Sequence, residues 1–75
     1  LISISLKDFN KLNVNIKVKL IEKIYLYFYQ NKRRIRFSKI MAFLDKLNGE
    51  NLKYYNLSSM NVEKSKKFLD FSIIN

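Results

Sequence analysis

Arg33, Arg34 and Arg36 are the only arginines in the chain, and Lys32 adjoins them, whereas lysine is spread along the whole sequence. A guanidinium offers a planar fork of donors that matches phosphate oxygens, and it stays charged in any surroundings. The chemistry such a cluster points to is contact with a polyanion. Ser38 and Lys39 follow directly, at the start of an amphipathic run. A helix beginning there would add free N–H groups and a positive dipole end, acting on the same anion as the arginine fork. The candidate nucleic-acid-binding residues are therefore Lys32, Arg33, Arg34, Arg36, Ser38 and Lys39. The competing possibility is a solvated connection between two helices on which any charge is tolerated. A nuclear-localisation triplet at Lys32-Arg33-Arg34 is a further alternative.

Tyr25, Tyr27 and Tyr29 precede the cluster, and Phe37 lies just beyond Arg36. Exposed rings stack on unpaired bases; the alternative places Tyr27, Phe28 and Phe37 in a core, with Tyr25 and Tyr29 half-exposed. Catalysis has little to work with. The chain has no histidine and no cysteine, and its six acidic residues are scattered rather than paired. The usual bases and nucleophiles are missing, as are disulfides and thiolate or imidazole metal ligands. A single glycine cannot build a glycine-rich phosphate loop. No catalytic residue, cofactor or metal is assigned to this chain.

The elements that must position the arginines follow from periodicity. Ile2, Ile4 and Leu6 alternate with Ser3, Ser5 and Lys7, which suggests a short half-buried strand or an extended entry segment within a leader over residues 1–10. Residues 12–30 are ambiguous: Val14, Ile16, Val18 and Leu20 alternate as in a strand, while Ile16, Leu20, Ile24, Tyr27 and Phe28 recur at helical spacing. Length and the lack of a turn residue favour a helix, with Lys19, Glu22, Lys23 and Gln30 opposite the stripe and Lys17 snorkelling out of it. A basic connection over 31–37 follows. Ile40, Phe43, Leu44 and Leu47 then form a stripe opposite Lys39, Ala42, Asp45 and Lys46, predicting a helix over 38–48. Ser38 suits its N-cap, and Asn48-Gly49 suits a left-handed C-terminal turn.

After Gly49 the period shortens, and strands are expected within 51–75, at Leu52 to Leu57, Met60 to Val62 and Phe68 to Ile74. Phe68, Asp70 and Ser72 would share one face and Leu69, Phe71 and Ile73 the other, while Tyr54 and Tyr55 would point to opposite sides. The expected architecture is two amphipathic helices followed by a small antiparallel β-meander. This is one α+β domain over residues 1–75. The length allows a single core, which the 48% of apolar residues, including six Phe and five Tyr, can fill.

A net charge of +9 draws the chain toward phosphate backbones or anionic surfaces. Asn, Lys, Ile, Tyr, Phe and Leu dominate while Ala, Gly, Pro and Trp are scarce, the bias of an AT-rich genome, so mutation is a second source for the lysines. The longest apolar run, Ile16 to Tyr29, is broken by Lys17, Lys19, Glu22 and Lys23, and no membrane span is expected. No signal peptide is visible in Leu1 to Leu6. A cytoplasmic or organellar-matrix location is expected. Because Leu1 is not methionine, the chain is expected to be a fragment, a processed product or the product of a non-standard start codon.

The order of parts carries a resemblance. A Phe9-x-x-Leu12 start, a long helix, a basic stretch running into Arg36-Phe37-Ser38-Lys39-Ile40, a helix ending near Leu47-Asn48-Gly49 and strands closing at Phe68-Leu69-Asp70-Phe71 resemble the C-terminal region of tRNA lysidine synthetases. The similarity is to AT-rich alphaproteobacterial or organellar members. In that family an N-terminal domain with a Ser-Gly-Gly-x-Asp-Ser loop uses ATP to activate the wobble cytidine of an isoleucine tRNA for attack by lysine. None of that loop is in this sequence. The resemblance implies a tRNA-holding part of an ATP-dependent tRNA-modifying ligase, with a catalytic domain upstream and tRNA contacts at Arg33, Arg34, Arg36 and Lys39. The family's last strands often carry a glycine-cysteine turn and a basic strand, where this chain has Ser58-Ser59-Met60. The alternative function is a small basic rRNA-binding ribosomal protein of an organelle or AT-rich bacterium. A protein-interaction domain without a nucleic-acid partner is the third.

Overall fold

The alternating Ile and Ser residues at the start form strand β1 (Ile2–Ser5) in the computed structural model, which describes residues 1–49 and 51–73. The extended leader expected over 1–10 stops there, because a short helix α1 (Leu6–Lys11) begins at once. Ser5 caps it, its Oγ accepting from the Asp8 N–H at 3.3 Å, and the Asp8 carboxylate sits in the first turn, where the helix dipole favours it. Phe9 is the buried residue of α1. Helix α2 (Val14–Phe28) starts two residues later than expected, since Asn13 accepts from the Ile16 N–H at 3.0 Å and caps it. That cap ends the strand-or-helix ambiguity in favour of helix.

The buried face of α2 is Val18, Ile21, Ile24 and Tyr25, with Leu20 and Phe28 partly covered. The expected stripe placed Ile16 and Tyr27 inward, yet Ile16 is exposed and Tyr27 is 72% exposed. Apolar residues surround much of this helix, so period alone does not fix which side faces the core. Lys17 lies at the edge of the buried face with its Nζ 5.4 Å from the Phe9 ring centroid, its stem lying along the apolar surface.

Helix α2 ends in a Schellman motif, with Asn31 N–H donating to the Leu26 carbonyl at 2.9 Å and Gln30 N–H to the Tyr27 carbonyl at 3.3 Å. Gln30 takes the left-handed position at φ 52°, and Asn31 follows at φ 62°. Glycine usually serves here. The chain's one glycine instead lies inside helix α3 (Phe37–Gly49), and neither it nor Asn48 has a positive φ, so the expected left-handed stop at Asn48-Gly49 does not form. The start of α3 also differs from expectation. The Arg36 carbonyl accepts from the Lys39 and Ile40 N–H groups at 3.1 and 3.3 Å, which makes Arg36 the flanking residue and leaves Ser38 within the first turn rather than at the N-cap. The core face of α3 is as read from its period: Ile40, Phe43, Leu44 and Leu47 are buried.

Strands β2 (Tyr54–Leu57), β3 (Met60–Lys64) and β4 (Phe68–Ile73) form the expected meander; Ile74, at the end of the expected third run, lies outside the described residues. The sheet has four strands rather than three. Its order is β1-β4-β3-β2, all antiparallel, so the N-terminal strand returns to pair with the last one, Ile2 opposite Phe71 and Ile4 opposite Leu69. The result is α+β, with three helices instead of two.

One sheet face packs on the helices. Ile2, Ile4, Leu69, Phe71, Met60, Val62, Tyr55 and Leu57 occupy it by register, and the Phe43 ring of α3 meets the Tyr55 ring at 5.2 Å. Leu69 and Phe71 are buried while Asp70 and Ser72 face the other way, as the alternation predicts. Phe9, Ile21, Ile40, Phe43, Met60 and Phe71 are fully buried, each contributing about 1.5–3 kcal/mol of burial free energy. Apart from the phenol of Tyr25, no polar or charged side chain among the described residues is buried. No helix among them is long and apolar enough to cross a membrane.

Candidate nucleic-acid interface

The backbone of the basic connection is fixed at both ends. The Schellman motif holds its start, the Lys32 N–H donates to the Tyr29 carbonyl at 2.9 Å, and Arg36 leads into α3. Between them Ile35 is buried in the common core. Anchoring Ile35 inward leaves its neighbours Arg34 and Arg36 on the surface. Lys32, Ser38 and Lys39 are exposed with them, and none of the cations Lys32, Arg34, Arg36 and Lys39 forms an ion pair with another described residue. Of these charges, unpaired among the described residues, Arg36 and Lys39 flank the first turn of α3, whose N–H groups lack intrahelical acceptors, while Lys32 sits where α2 ends.

Arg33 has a different position. Its guanidinium lies over the Tyr29 ring at 4.7 Å and within 6.0 Å of the Tyr25 ring centroid. The two tyrosines contact each other at 4.7 Å and reach across to the β2–β3 turn, Tyr25 Oη donating to the Ser58 carbonyl at 2.7 Å and Tyr29 Oη to the Ser59 carbonyl at 3.1 Å. Ser58 and Ser59 are both left-handed, at φ 50° and 72°, as a two-residue type I′ hairpin loop requires, and Asn56 Oδ1 accepts from the Ser59 N–H at 2.8 Å. Turn, tyrosine pair and Arg33 thus form three layers. Burial pushes the Tyr25 phenol above its ordinary range; the nearby Arg33 charge opposes that shift and Tyr29 adds to it.

The aromatic expectations divide. Tyr25 is buried rather than half-exposed, while Tyr27 and Phe37, placed in a core by one of the two sequence readings, are 72% and 64% exposed. Phe37 therefore stands beside Arg36 on the surface. Tyr54 is exposed and Tyr55 partly covered, as opposite-pointing neighbours should be.

Two groupings escape a linear reading. Lys7, Lys53, Lys64, Lys66 and Lys67 come from three separate segments, yet they meet where β1 ends, β2 begins and β3 turns into β4. On the open face of the sheet, Asp70 stands opposite both Ser3 and Glu63, and Ser3 Oγ donates to Asp70 Oδ1 at 2.5 Å. Only strand pairing brings these residues together. No group of three or more potential metal ligands occurs among the described residues. In comparisons with known proteins, no family model, curated protein or solved structure matches this chain.

Proposed function

We propose that this domain binds RNA by its phosphate backbone, through Lys32, Arg34, Arg36 and Lys39 at the start of α3, with Ser38 beside them. The observation that carries the reading is the fixed, outward placement of Arg34 and Arg36 on either side of buried Ile35. A connection that merely tolerated charge would not need an anchored backbone. Arg33, exposed and stacked by its face on Tyr29, keeps its in-plane N–H donors for the same interface while the stack steadies the loop. In the form implied by the family resemblance, the RNA is a tRNA and the domain is the tRNA-holding part of a lysidine synthetase; ribosomal RNA is the alternative partner.

The test compares wild type with Arg34→Ala/Arg36→Ala in binding to a tRNA and to an rRNA fragment across a salt series. Loss of two phosphate contacts should lower the slope of log affinity against log salt by about 2 and weaken binding to every sequence alike. Unchanged affinity and slope would remove these arginines from the interface. Competition between the two RNAs then decides the partner.

A further inference from the structure

The open face of the sheet and its lysine end have no part in the arginine interface, which lies beside the Ser58-Ser59 turn at the other end of the strands. By register this face carries Ser3, Asp70, Glu63 and Tyr54 in one row, with Ser72, Asn61 and Asn56 in the next. Phe68 stands one row nearer the lysines, opposite Ser5. Tyr54 is 71% exposed and Phe68 47%, two rings lying open on a polar surface. At that end a hollow bordered by Ser5 and Phe68 carries Lys7, Lys66 and Lys67, whereas Lys64, opposite Leu69, belongs by register to the helix-covered side.

We propose that this surface is a second, independent site, which takes an unpaired nucleic-acid strand with its bases on the sheet and its phosphates on the lysine end. The charges are divided in the way such a ligand requires. Phosphates belong on the lysine rim, whereas Asp70 and Glu63, two of the chain's six acidic residues, sit where only base edges are tolerable. Each carboxylate accepts hydrogen bonds from base imino or amino groups. The rings of Tyr54 and Phe68, about 12 Å apart from two strand spacings and two residues of rise, offer flat surfaces for stacking two bases of one strand with an intervening nucleotide between them. A duplex would lay phosphates over both carboxylates, and an anionic membrane would do the same with headgroups. Unpaired bases avoid both conflicts.

The experiment measures the anisotropy of a labelled short oligouridylate, an abasic strand of equal charge and vesicles containing phosphatidylserine, at low salt. The expected result is preference for the oligouridylate over the abasic strand, and a loss of about tenfold in Tyr54→Ala, the size of one stacking contact. Lys66→Gln/Lys67→Gln should reduce the salt dependence. Tyr54 is too exposed for its truncation to unfold the domain, and Phe68→Ala provides a second variant on a different strand. In an Arg34→Ala/Arg36→Ala background the total affinity falls, but the preference for oligouridylate over the abasic strand, and its loss in Tyr54→Ala, should persist, which separates this site from the arginine interface. Equal affinity for the abasic strand, unchanged binding in both ring variants, or stronger binding to the vesicles would each overturn the proposal.

Discussion

Arg33 and Arg34 are adjacent and chemically identical, yet their surroundings give them different work. Arg33 lies on Tyr29, and an exposed cation–π contact of this kind contributes about 0.5–1 kcal/mol. Arg33→Ala is therefore expected to lower stability by that amount in chemical denaturation, whereas Arg34→Ala should leave it unchanged and lower RNA affinity. Equal stability of the two variants would show that the stack is not maintained in solution. Tyr25 makes the neighbouring link. Tyr25→Phe removes the hydrogen bond to the Ser58 carbonyl and should cost about 1 kcal/mol. The Tyr25 phenol is raised in the folded state, so its protonated form stabilises the fold below the unfolded-state value near 10, and that contribution is lost as pH rises through the folded value. The alkaline decline in thermal stability should be shallower in Tyr25→Phe than in wild type.

Among the described residues, the left-handed positions fall to Gln30, Asn31, Ser58 and Ser59, while the glycine lies in α3 where none is needed. A Cβ at Gly49 would meet nothing within 4 Å, and its φ is not left-handed. Gly49→Ala should therefore stabilise the domain by about 0.5 kcal/mol through helix propensity and a less flexible unfolded chain. The opposite change, Gln30→Gly, should also stabilise, since a side chain in the left-handed region costs roughly 1 kcal/mol. Thermal midpoints of the two variants check both signs; a drop for Gly49→Ala would mean that the helix ends before it. Reading Asn48-Gly49 as a stop follows the usual residue preference, and it fails because a glycine permits the left-handed state without imposing it. The same lesson holds for Ser38. A serine inside a first turn and a serine at a cap look alike in sequence, and the Arg36 carbonyl decides between them.

For the whole molecule, the decisive contact is β1 against β4, joining the two ends of the chain. Deleting residues 1–5 would leave the β4 edge unpaired and expose Leu69 and Phe71, and is expected to abolish cooperative unfolding and promote association. Phe43→Ala, at the junction of α3 and the sheet, should cost roughly 2–5 kcal/mol, enough to unfold most of a domain this small. A single sharp thermal transition in either variant would contradict this account of the core.

The class α+β, the buried stripe of α3, the alternation of β4 and the isolation of the arginines in one connection are legible without any tertiary contact. Those features depend on period and local composition, which are written along the chain. Packing supplied the rest: the pairing of the N-terminal strand with β4, the rotation of α2 that buries Tyr25 and exposes Tyr27, the stacking of Arg33 on Tyr29, and the gathering of five lysines and two facing carboxylates at the sheet. Each depends on a partner distant in sequence. A residue's spacing shows which faces an element has, and only packing selects the face that meets the core and the neighbours that share its surface.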